Sequence, residues 1–359
     1  MSTKTFLGWE RLKMHNVFDV TIIGGGPAGL YSAFYSGLRE MKAKIIEFQP
    51  QLGGKLHVYP EKMIWDVGGQ TPISGERLIE QLVQQGLTFD PEVVVNEKVE
   101  SITRREDGIF VLHSSSGVKH YSKTIIIAVG SGILKPMKLE IEGAERFEVS
   151  NLNYTVKSIQ RFKDKTVIIS GGGNAAIDWA NELEPIAKKV YVTYRKDSLN
   201  GHEAQVTQLL ESSVTCLFNT KITKLIASEN HDMIEQVSIL DNETGETTHI
   251  EVDEVIINHG YNQDAELLKN SAIPIDIADN FYVKGTSSCE SSIAGIYAAG
   301  DIIQYTGKVN LIAGTFQDAA NAVNQAKQYI QPDANKFAMV SSHNEVFKER
   351  NKKLVKQLI

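Results

Sequence analysis

A pattern of strand, glycine-rich turn, helix and strand occurs twice in this chain and limits the folds that it can adopt. In the first copy, the apolar run Asp19–Ile23 leads into the turn Gly24–Gly29. A helical pattern follows, and then a second strand at Ala43–Glu47. The second copy begins at Lys165 and has the same order of elements. The copies lie too far apart for a solenoid, so we expect two dinucleotide-binding domains of related α/β fold.

Later strand patterns set the expected domain boundaries. The run Thr124–Val129 ends the first unit, and Glu254–Asn258 ends the second in a similar way. Gly295–Asp301 then predicts a strand that leads into a Gly-Asp pair, and a helical pattern covers Thr315–Tyr329. We expect two Rossmann-like domains. The first domain is discontinuous and comprises residues 14–133 and 262–359. The second comprises residues 134–261, and residues 1–13 form an N-terminal extension.

The composition excludes several classes of protein. Of the 359 residues, 42% are hydrophobic and 23% charged, and no apolar run approaches the roughly 18 residues of a membrane helix. A formal net charge of −7 argues against nucleic acid as the main partner. Two cysteines, Cys216 and Cys289, exclude a disulfide framework and match no metal motif. Because the sequence shows neither a disulfide framework nor a signal-peptide pattern at the N-terminus, we expect the protein in the reducing cytoplasm.

The first glycine-rich turn has the residues that bind a dinucleotide pyrophosphate. Gly24, Gly26 and Gly29 form G-x-G-x-x-G. These glycines permit the tight turn, the approach of the pyrophosphate, and close helix–strand packing, respectively. Glu47 closes the next strand, where a carboxylate would bind ribose hydroxyls. Asp301 can present a second carboxylate to a polyhydroxyl chain, so we expect FAD rather than NAD here.

The second glycine-rich turn predicts a different dinucleotide. Gly171, Gly173 and Ala176 form G-x-G-x-x-A, and the next strand ends in Tyr194-Arg195-Lys196 rather than in an acid. Two cations at this position suit the 2′-phosphate of NADP(H), which the acid of the first copy would repel. One chain with an FAD site and an NADPH site is typical of a flavoprotein pyridine-nucleotide reductase.

These motifs resemble those of the two-dinucleotide-domain flavoproteins, and the compact length is similar to the thioredoxin reductase branch. That branch carries Cys-x-x-Cys just before its second turn, whereas the corresponding stretch 151–157 has no cysteine. None lies between Gly24 and Pro60 either, where glutathione-reductase-like enzymes place theirs. Dithiol chemistry is therefore excluded, and the chain resembles the thioredoxin-reductase-like ferredoxin/flavodoxin–NADP⁺ reductases from about Phe18 to Phe347. The most specific segments are 50–54, 59–62, 171–179, 298–301 and 307–312.

The resemblance implies a set of FAD contacts beyond the glycine-rich turn. They fall on Glu47, Gly54, Lys55, Tyr59, Val99, Leu134, Asp301 and Ser342. By the same resemblance, Tyr59 stacks on one face of the flavin. The residue that covers the other face precedes two hydroxyl residues, which favours Val340 over His343. The family has glutamine where this chain has Lys55, so here the contact would come from a charged ammonium group instead of a neutral amide.

The resemblance also implies the NADPH contacts. They fall on Gly171, Gly173, Asn174, Ala175, Arg195 and Lys196. The family sequence at the strand end is His-Arg-Arg-Asp with a further arginine shortly after. Here it is Tyr194-Arg195-Lys196-Asp197, and Asn200 replaces the later arginine. This chain therefore has two of the family's three cations. We expect its preference for NADPH over NADH to be smaller than that of the family.

The activity implied by the resemblance is hydride transfer from NADPH to flavin N5, followed by single-electron transfers to a small acidic redox protein. Ferredoxin and flavodoxin are both suitable acceptors. The resemblance further implies a homodimer, in which the C-terminal tail of one subunit reaches the flavin of the other. No general acid or base is required, so several histidines are expected to be structural or surface groups. They are His15, His57, His113, His202 and His259.

Two alternatives remain open at this point. A quinone reductase of this superfamily would have a membrane-binding C-terminus, and the tail Asn344–Ile359 is basic with several apolar residues. The second alternative is a flavin-binding sensor that has the same fold but does not catalyse hydride transfer. Such a protein would not need the second glycine-rich turn or Arg195.

Overall fold

The computed structural model describes residues 17–132, 135–339 and 343–358. Contacts between residues divide it into two compact units. The first unit contains the described residues of Met1–His57, Lys62–Ile133 and Gln263–Ile359, and the second contains those of Val58–Glu61 and Leu134–Asn262. Each unit is built on a sheet with parallel strands at its centre. The α/β fold class predicted from the sequence is confirmed.

The first unit begins with a set of strands and two helices. The strands are β1 (Val17–Ile23), β2 (Ala43–Ile46), β3 (Met63–Ile64), β4 (Ile73–Ser74), β5 (Glu92–Val94), β6 (Val99–Arg104), β7 (Phe110–Ser114) and β8 (Lys119–Ile127). The helices are α1 (Pro27–Leu38) and α2 (Gly75–Gly86). Helix α1 begins at Pro27, three residues before the helical pattern that the sequence shows over Leu30–Leu38, because proline suits the first helical position and Gly26 caps the helix.

Parallel pairing forms the core of the first sheet. Its strand order is β5-β2-β1-β8, and the antiparallel strands β7 and β6 continue it. Ile22 pairs with Ile45 on one side and Ile126 on the other, and all three are fully buried. Such continuous β-branched runs are typical of parallel strands that are covered on both faces. The carboxyl ends of β1, β2 and β8 therefore meet at one edge, which we call the first carboxyl edge.

The second unit contains a parallel sheet, an antiparallel sheet and two helices. The strands are β9 (Lys135–Pro136), β10 (Leu152–Asn153), β11 (Thr166–Ser170), β12 (Lys189–Thr193), β13 (Thr215–Leu217), β14 (Thr220–Ala227), β15 (Ile234–Asp241), β16 (Thr247–Glu251), β17 (Glu254–Ile257) and β18 (Tyr261–Asn262). The helices are α3 (Asn174–Leu183) and α4 (Glu203–Glu211).

The parallel sheet of the second unit has the order β10-β17-β11-β12-β13. One face packs on α3 through Ile177 and Ala180, and the other packs on the antiparallel sheet β14-β15-β16. Val255 and Ile168 in the central strands are fully buried. Strands β11, β12 and β17 end at a second carboxyl edge, where the glycine-rich turn follows β11.

The chain then returns to the first unit. The remaining strands are β19 (Ile277–Ala278), β20 (Tyr282–Lys284), β21 (Ile296–Ala298) and β22 (Ile303–Gln304). The remaining helices are α5 (Glu266–Asn270), α6 (Ile312–Ile330) and α7 (Lys348–Leu358). Strand β21 pairs in parallel with the carboxyl half of β8, so its end also lies at the first carboxyl edge. Helix α6 packs along α1.

The residues before α7 fold back onto the first unit. The ring of Phe347 lies 6.5 Å from that of Phe34 and 5.4 Å from that of Phe89, measured between ring centroids. The guanidinium of Arg350 lies 6.0 Å from the centroid of Phe89. These aromatic contacts join the start of α7 to α1 of the same chain.

Backbone contacts explain the glycines of the first turn. Gly24 has φ +108°, and a Cβ there would lie 2.4 Å from the carbonyl oxygen of Ala128. A Cβ at Gly29 would lie 1.9 Å from the carbonyl oxygen of Gly24. At Gly26 the nearest atom would be Cα of Gly54, at 3.7 Å. The fold therefore requires Gly24 and Gly29, whereas it leaves room for a methyl group at Gly26.

This difference gives a stability prediction. We expect Gly29→Ala to lower the free energy of unfolding of the first unit by about 3 kcal/mol, because a backbone atom occupies the space of the new methyl group. Gly26→Ala, the matched control, should change it by less than about 1 kcal/mol. Urea unfolding of the cofactor-free proteins measures both values. Equal destabilisation by the two substitutions would contradict the packing argument.

Candidate functional site

Glu47 lies at the end of β2, at the first carboxyl edge, and is buried. One carboxylate oxygen accepts a hydrogen bond from the Gly25 N–H at 2.5 Å, and the other accepts from the Gln49 N–H at 2.7 Å. A carboxylate oxygen can accept more than one hydrogen bond, so Glu47 can fix the glycine-rich turn and still bind hydroxyl groups. This geometry suits the ribose contact that the sequence predicts.

Two further predicted residues lie next to this edge. A Cβ at Gly54 would lie 2.8 Å from Cα of Gly26, so the 3₁₀ turn Gly54–Val58 closely approaches the glycine-rich turn. The Glu97 N–H donates to the carbonyl oxygen of Glu47 at 3.0 Å, which brings Val99, at the start of β6, to the same side. Val99 is buried, whereas Lys55 is exposed.

Asp301 follows β21 at the first carboxyl edge. Its side chain is partly buried, and its carboxylate makes no hydrogen bond within the described part of the chain. The preceding Gly300 has φ +82°, and a Cβ there would lie 2.9 Å from Cβ of Ala28, in the first turn of α1. An unpaired carboxylate beside this helix N-terminus suits a polyhydroxyl chain attached to a pyrophosphate.

A buried carboxylate on α6 fixes the turn that carries Asp301. Asp318 accepts hydrogen bonds from the Gly300 N–H at 3.1 Å, from Tyr305 at 2.7 Å and from Lys308 at 2.5 Å. Both Asp318 and Lys308 are buried. Burial and the neighbouring carboxylate raise the pKa of Tyr305, so its hydroxyl stays protonated and donates. The sequence analysis missed this network, because no motif marks an acid in the second turn of a helix.

The structure describes only some of the remaining predicted flavin contacts. Tyr59 belongs to the short segment of the second unit and packs against the hydrophobic cluster around α3. In the same segment, Glu61 accepts a hydrogen bond from the Ile159 N–H at 2.7 Å. His343 is exposed. Leu134, Val340 and Ser342 lie outside the described residues.

The second glycine-rich turn forms an open helix N-terminus. Gly171 has φ +151°, and a Cβ there would lie 2.6 Å from the carbonyl oxygen of Asn258, just after β17. Gly173, Asn174 and Ala175 are exposed at the start of α3. The Asn174 side chain accepts a hydrogen bond from the His202 N–H at 2.9 Å, which orders the loop after β12. The N–H groups at the start of such a helix can bind an anion.

The cations predicted for the second site lie after β12. Arg195 and Lys196 are exposed, and neither makes an ion pair within the residues that the structure describes. Tyr194 holds the position after β12 that Glu47 holds after β2, and the two cations follow it directly. The end of the second strand therefore carries a negative charge in the first unit and positive charges in the second.

His259, which the sequence analysis assigned to structural or surface histidines, lies at the second carboxyl edge just after β17. Its Nε2 lies 2.8 Å from the Ser170 hydroxyl, at the end of β11. Partial desolvation and the charge of Arg195 lower the pKa of His259 below its usual value. The alternation of strands and turns could not reveal this contact, because it depends on β17 pairing beside β11.

The cysteines are single free thiols. Cys289 is buried in the first unit, and Cys216 is partly buried on β13 of the second. Burial raises the pKa of both thiols, which keeps them protonated and unreactive. Neither therefore has the environment of a redox-active cysteine.

Comparisons with known proteins identify the family of this chain. Residues 18–326 match the family described as pyridine nucleotide-disulphide oxidoreductase. "Ferredoxin--NADP reductase 1" of Bacillus mycoides strain KBAB4 is 70% identical over 348 residues, which cover 97% of this chain and 100% of the relative. The protein of the same name from Bacillus licheniformis is 70% identical over 347 residues, which cover 97% and 99%. Lactococcus lactis thioredoxin reductase has a similar fold, with a TM-score of 0.73 at 23% identity, covering 87% of this chain and 99% of that one.

The chain therefore belongs to the pyridine nucleotide-disulphide oxidoreductase family, in the group of the thioredoxin-reductase-like ferredoxin–NADP reductases. It is a flavoprotein oxidoreductase, and its cofactors are FAD and NADPH, as the two glycine-rich turns predict. The comparisons give no support to a quinone reductase. Within the described ranges, no helix has the length and apolarity to cross a membrane.

The unpaired cations after β12 give a prediction on cofactor choice. Arg195→Ala should raise the KM for NADPH about 10- to 100-fold with little effect on NADH, because a charge-assisted contact contributes about 1.5–3 kcal/mol. Steady-state ferricyanide reduction with each nucleotide measures both constants. Lys224→Ala, which removes an exposed cation from β14, is the control. An equal rise for NADPH and NADH would show that Arg195 does not bind the 2′-phosphate.

Proposed function

We propose that this protein is a ferredoxin–NADP reductase, which passes electrons from NADPH through FAD to ferredoxin, with flavodoxin as a second acceptor. One observation carries the proposal: the two glycine-rich turns have opposite charge at the ends of their second strands. Glu47 suits an unphosphorylated ribose, whereas Arg195 and Lys196 suit a 2′-phosphate. The names of the relatives at 70% identity support ferredoxin as the acceptor.

The residues of the first carboxyl edge fit FAD. When bound, FAD supplies the conversion between a two-electron donor and one-electron acceptors. The N–H groups at the start of α1 would bind the pyrophosphate, and Glu47 would bind the adenosine ribose. Asp301, which has no partner in the described residues, would bind the hydroxyl chain. Asp318 holds the turn of Asp301 in place through the Gly300 N–H.

The protein residues bind and orient cofactors rather than transfer protons. Hydride and electron transfer need no general acid or base, so the roles of the side chains are to bind phosphates and hydroxyls and to set the local charge. The buried, protonated Cys289 and the partly buried Cys216 lack the environment of a dithiol centre. The electrons therefore leave for an external acceptor.

The proposal is tested by coupled reduction of cytochrome c. Under anaerobic conditions NADPH should bleach the flavin absorbance, and cytochrome c reduction should then depend on added ferredoxin. The variant Cys216→Ser/Cys289→Ser should keep this activity, because neither thiol takes part. Flavin bleaching without any ferredoxin- or flavodoxin-dependent rate would contradict the proposal. Loss of activity in the serine variant, with the fold intact by circular dichroism, would indicate a dithiol pathway instead.

Helix α7 offers cations for an acidic partner. Lys348 pairs with Glu345 at 2.9 Å and Lys352 with Glu349 at 2.6 Å, which offsets their charge. Arg350 is held over Phe89. Lys353 and Lys356 are exposed and make no ion pair within the described residues. Together with Arg350, these two lysines carry the positive charge of α7 that no carboxylate offsets among the described residues.

We expect the variant Lys353→Gln/Lys356→Gln to raise the KM for ferredoxin about threefold at low salt, since opposite charges steer the encounter. The effect should disappear at high salt, where exposed charges are screened. Ferricyanide reduction should not change, because a small anion needs no docking surface. Lys221→Gln/Lys224→Gln on β14 is the matched control. An unchanged KM at low salt would place the docking surface elsewhere.

The proposal includes two further expectations that rest on resemblance. The protein should form a homodimer, in which the tail of one subunit contributes to the flavin site of the other. Its location should be the cytoplasm, where a reducing environment keeps both thiols free.

A further inference from the structure

His259 lies at the switch point of the second sheet. From β11 the chain passes through α3 to β12 on one side, while β17 pairs with β11 on the other. In open α/β sheets, a dinucleotide binds across the carboxyl ends of strands at such a point. Arg195 follows β12, so the adenosine half belongs on that side. His259 follows β17, on the opposite side of the glycine-rich turn.

A hydrogen bond holds the imidazole at this edge. His259 Nε2 lies 2.8 Å from the hydroxyl of Ser170, which is buried at the end of β11. Its Nδ1 has no partner in the described part of the chain, and His259 is exposed. The imidazole is therefore fixed on one side and free to bind a ligand on the other.

A second group at the same edge also lacks a partner. The side-chain oxygen of Asn258 is buried and accepts no hydrogen bond from the described residues. Buried polar atoms in native structures are almost always hydrogen-bonded, so an orphan atom marks a place where a ligand can donate. Asn258 directly precedes His259 in the chain, and its carbonyl oxygen is the atom that a Cβ at Gly171 would meet. The orphan oxygen therefore lies in the segment that joins His259 to the glycine-rich turn.

The electrostatics at His259 favour an anionic ligand. Arg195 is the charged side chain that acts on the imidazole among the described residues, and with partial desolvation it lowers the pKa of His259. The free protein therefore carries a neutral imidazole at neutral pH. A bound phosphate would reverse this balance, because an adjacent negative charge stabilises the imidazolium.

We propose that His259 is a further NADPH-binding residue, which donates a hydrogen bond from its protonated imidazole to the pyrophosphate over the Gly171–Gly173 turn. Binding then takes up one proton at any pH between the pKa of the free imidazole and that of the bound one. Affinity for the nucleotide is therefore highest at low pH and falls as the pH rises through this window. The pyrophosphate is common to NADP⁺ and NAD⁺, so His259 should serve both, unlike Arg195.

The test uses the full-length oxidised holoenzyme and titration calorimetry with NADP⁺. Measurements in two buffers of different ionisation enthalpy give the number of protons taken up. His259→Gln keeps a group that can bond to Ser170 but cannot be protonated. His249→Gln is the matched control, because His249 makes a similar contact, 3.1 Å to Ser238, on the antiparallel sheet.

We expect His259→Gln to weaken NADP⁺ binding about tenfold at about pH 6 and much less at about pH 8.5, and to abolish proton uptake. NAD⁺ should lose affinity by the same factor, and His249→Gln should behave as wild type. Unchanged affinity and proton uptake in His259→Gln would overturn the proposal, as would a loss confined to NADP⁺. The inference rests on the NADPH site and not on ferredoxin. A wild type that binds NADP⁺ but does not reduce ferredoxin would contradict the proposed function alone.

Discussion

At the end of β1 the backbone passes so close to β8 that no side chain fits at Gly24, where a Cβ would lie 2.4 Å from the carbonyl oxygen of Ala128. The same contact occurs in the second unit, between Gly171 and the carbonyl of Asn258. In both places the turn directs the N-terminus of the next helix toward the carboxyl edge of a parallel sheet. In each unit, the helix N-terminus and the side chain at the end of the next strand are brought together by this backbone approach.

The charge at the end of the second strand then distinguishes two otherwise similar sites. Glu47 is buried and accepts from two backbone N–H groups, so it is part of the turn and cannot move away from a ligand. Arg195 and Lys196 are exposed and unpaired among the described residues, so their charge is free to bind a phosphate. One unit thereby suits FAD and the other NADPH, although the backbone geometry is shared.

The sequence predicted those parts of the structure that local patterns determine. Strands β1, β11 and β12 and helix α6 agree with the predicted elements to within about three residues. The glycines of both turns have the close contacts that the motif requires. Helix α2, the antiparallel strands β14–β16 and the fold of the tail were not predicted, because no motif or chemistry drew attention to those segments.

The parts of the site that were missed depend on pairing between distant segments. His259 meets Ser170 because β17 lies beside β11, and this neighbourhood is set by the whole sheet. Asp318 reaches Gly300 because α6 packs along α1 and β21 joins β8. In the tail, Glu345 and Glu349 each pair with a lysine three residues later, which its composition alone does not reveal.

A crystal structure of the holoenzyme with NADP⁺ bound would test most directly whether strand-end charge assigns the two cofactors. The account predicts the adenosine ribose of FAD within hydrogen-bond distance of Glu47, and the 2′-phosphate of NADP⁺ within that distance of the Arg195 guanidinium. A 2′-phosphate bound away from Arg195, or an FAD ribose that makes no contact with Glu47, would contradict it.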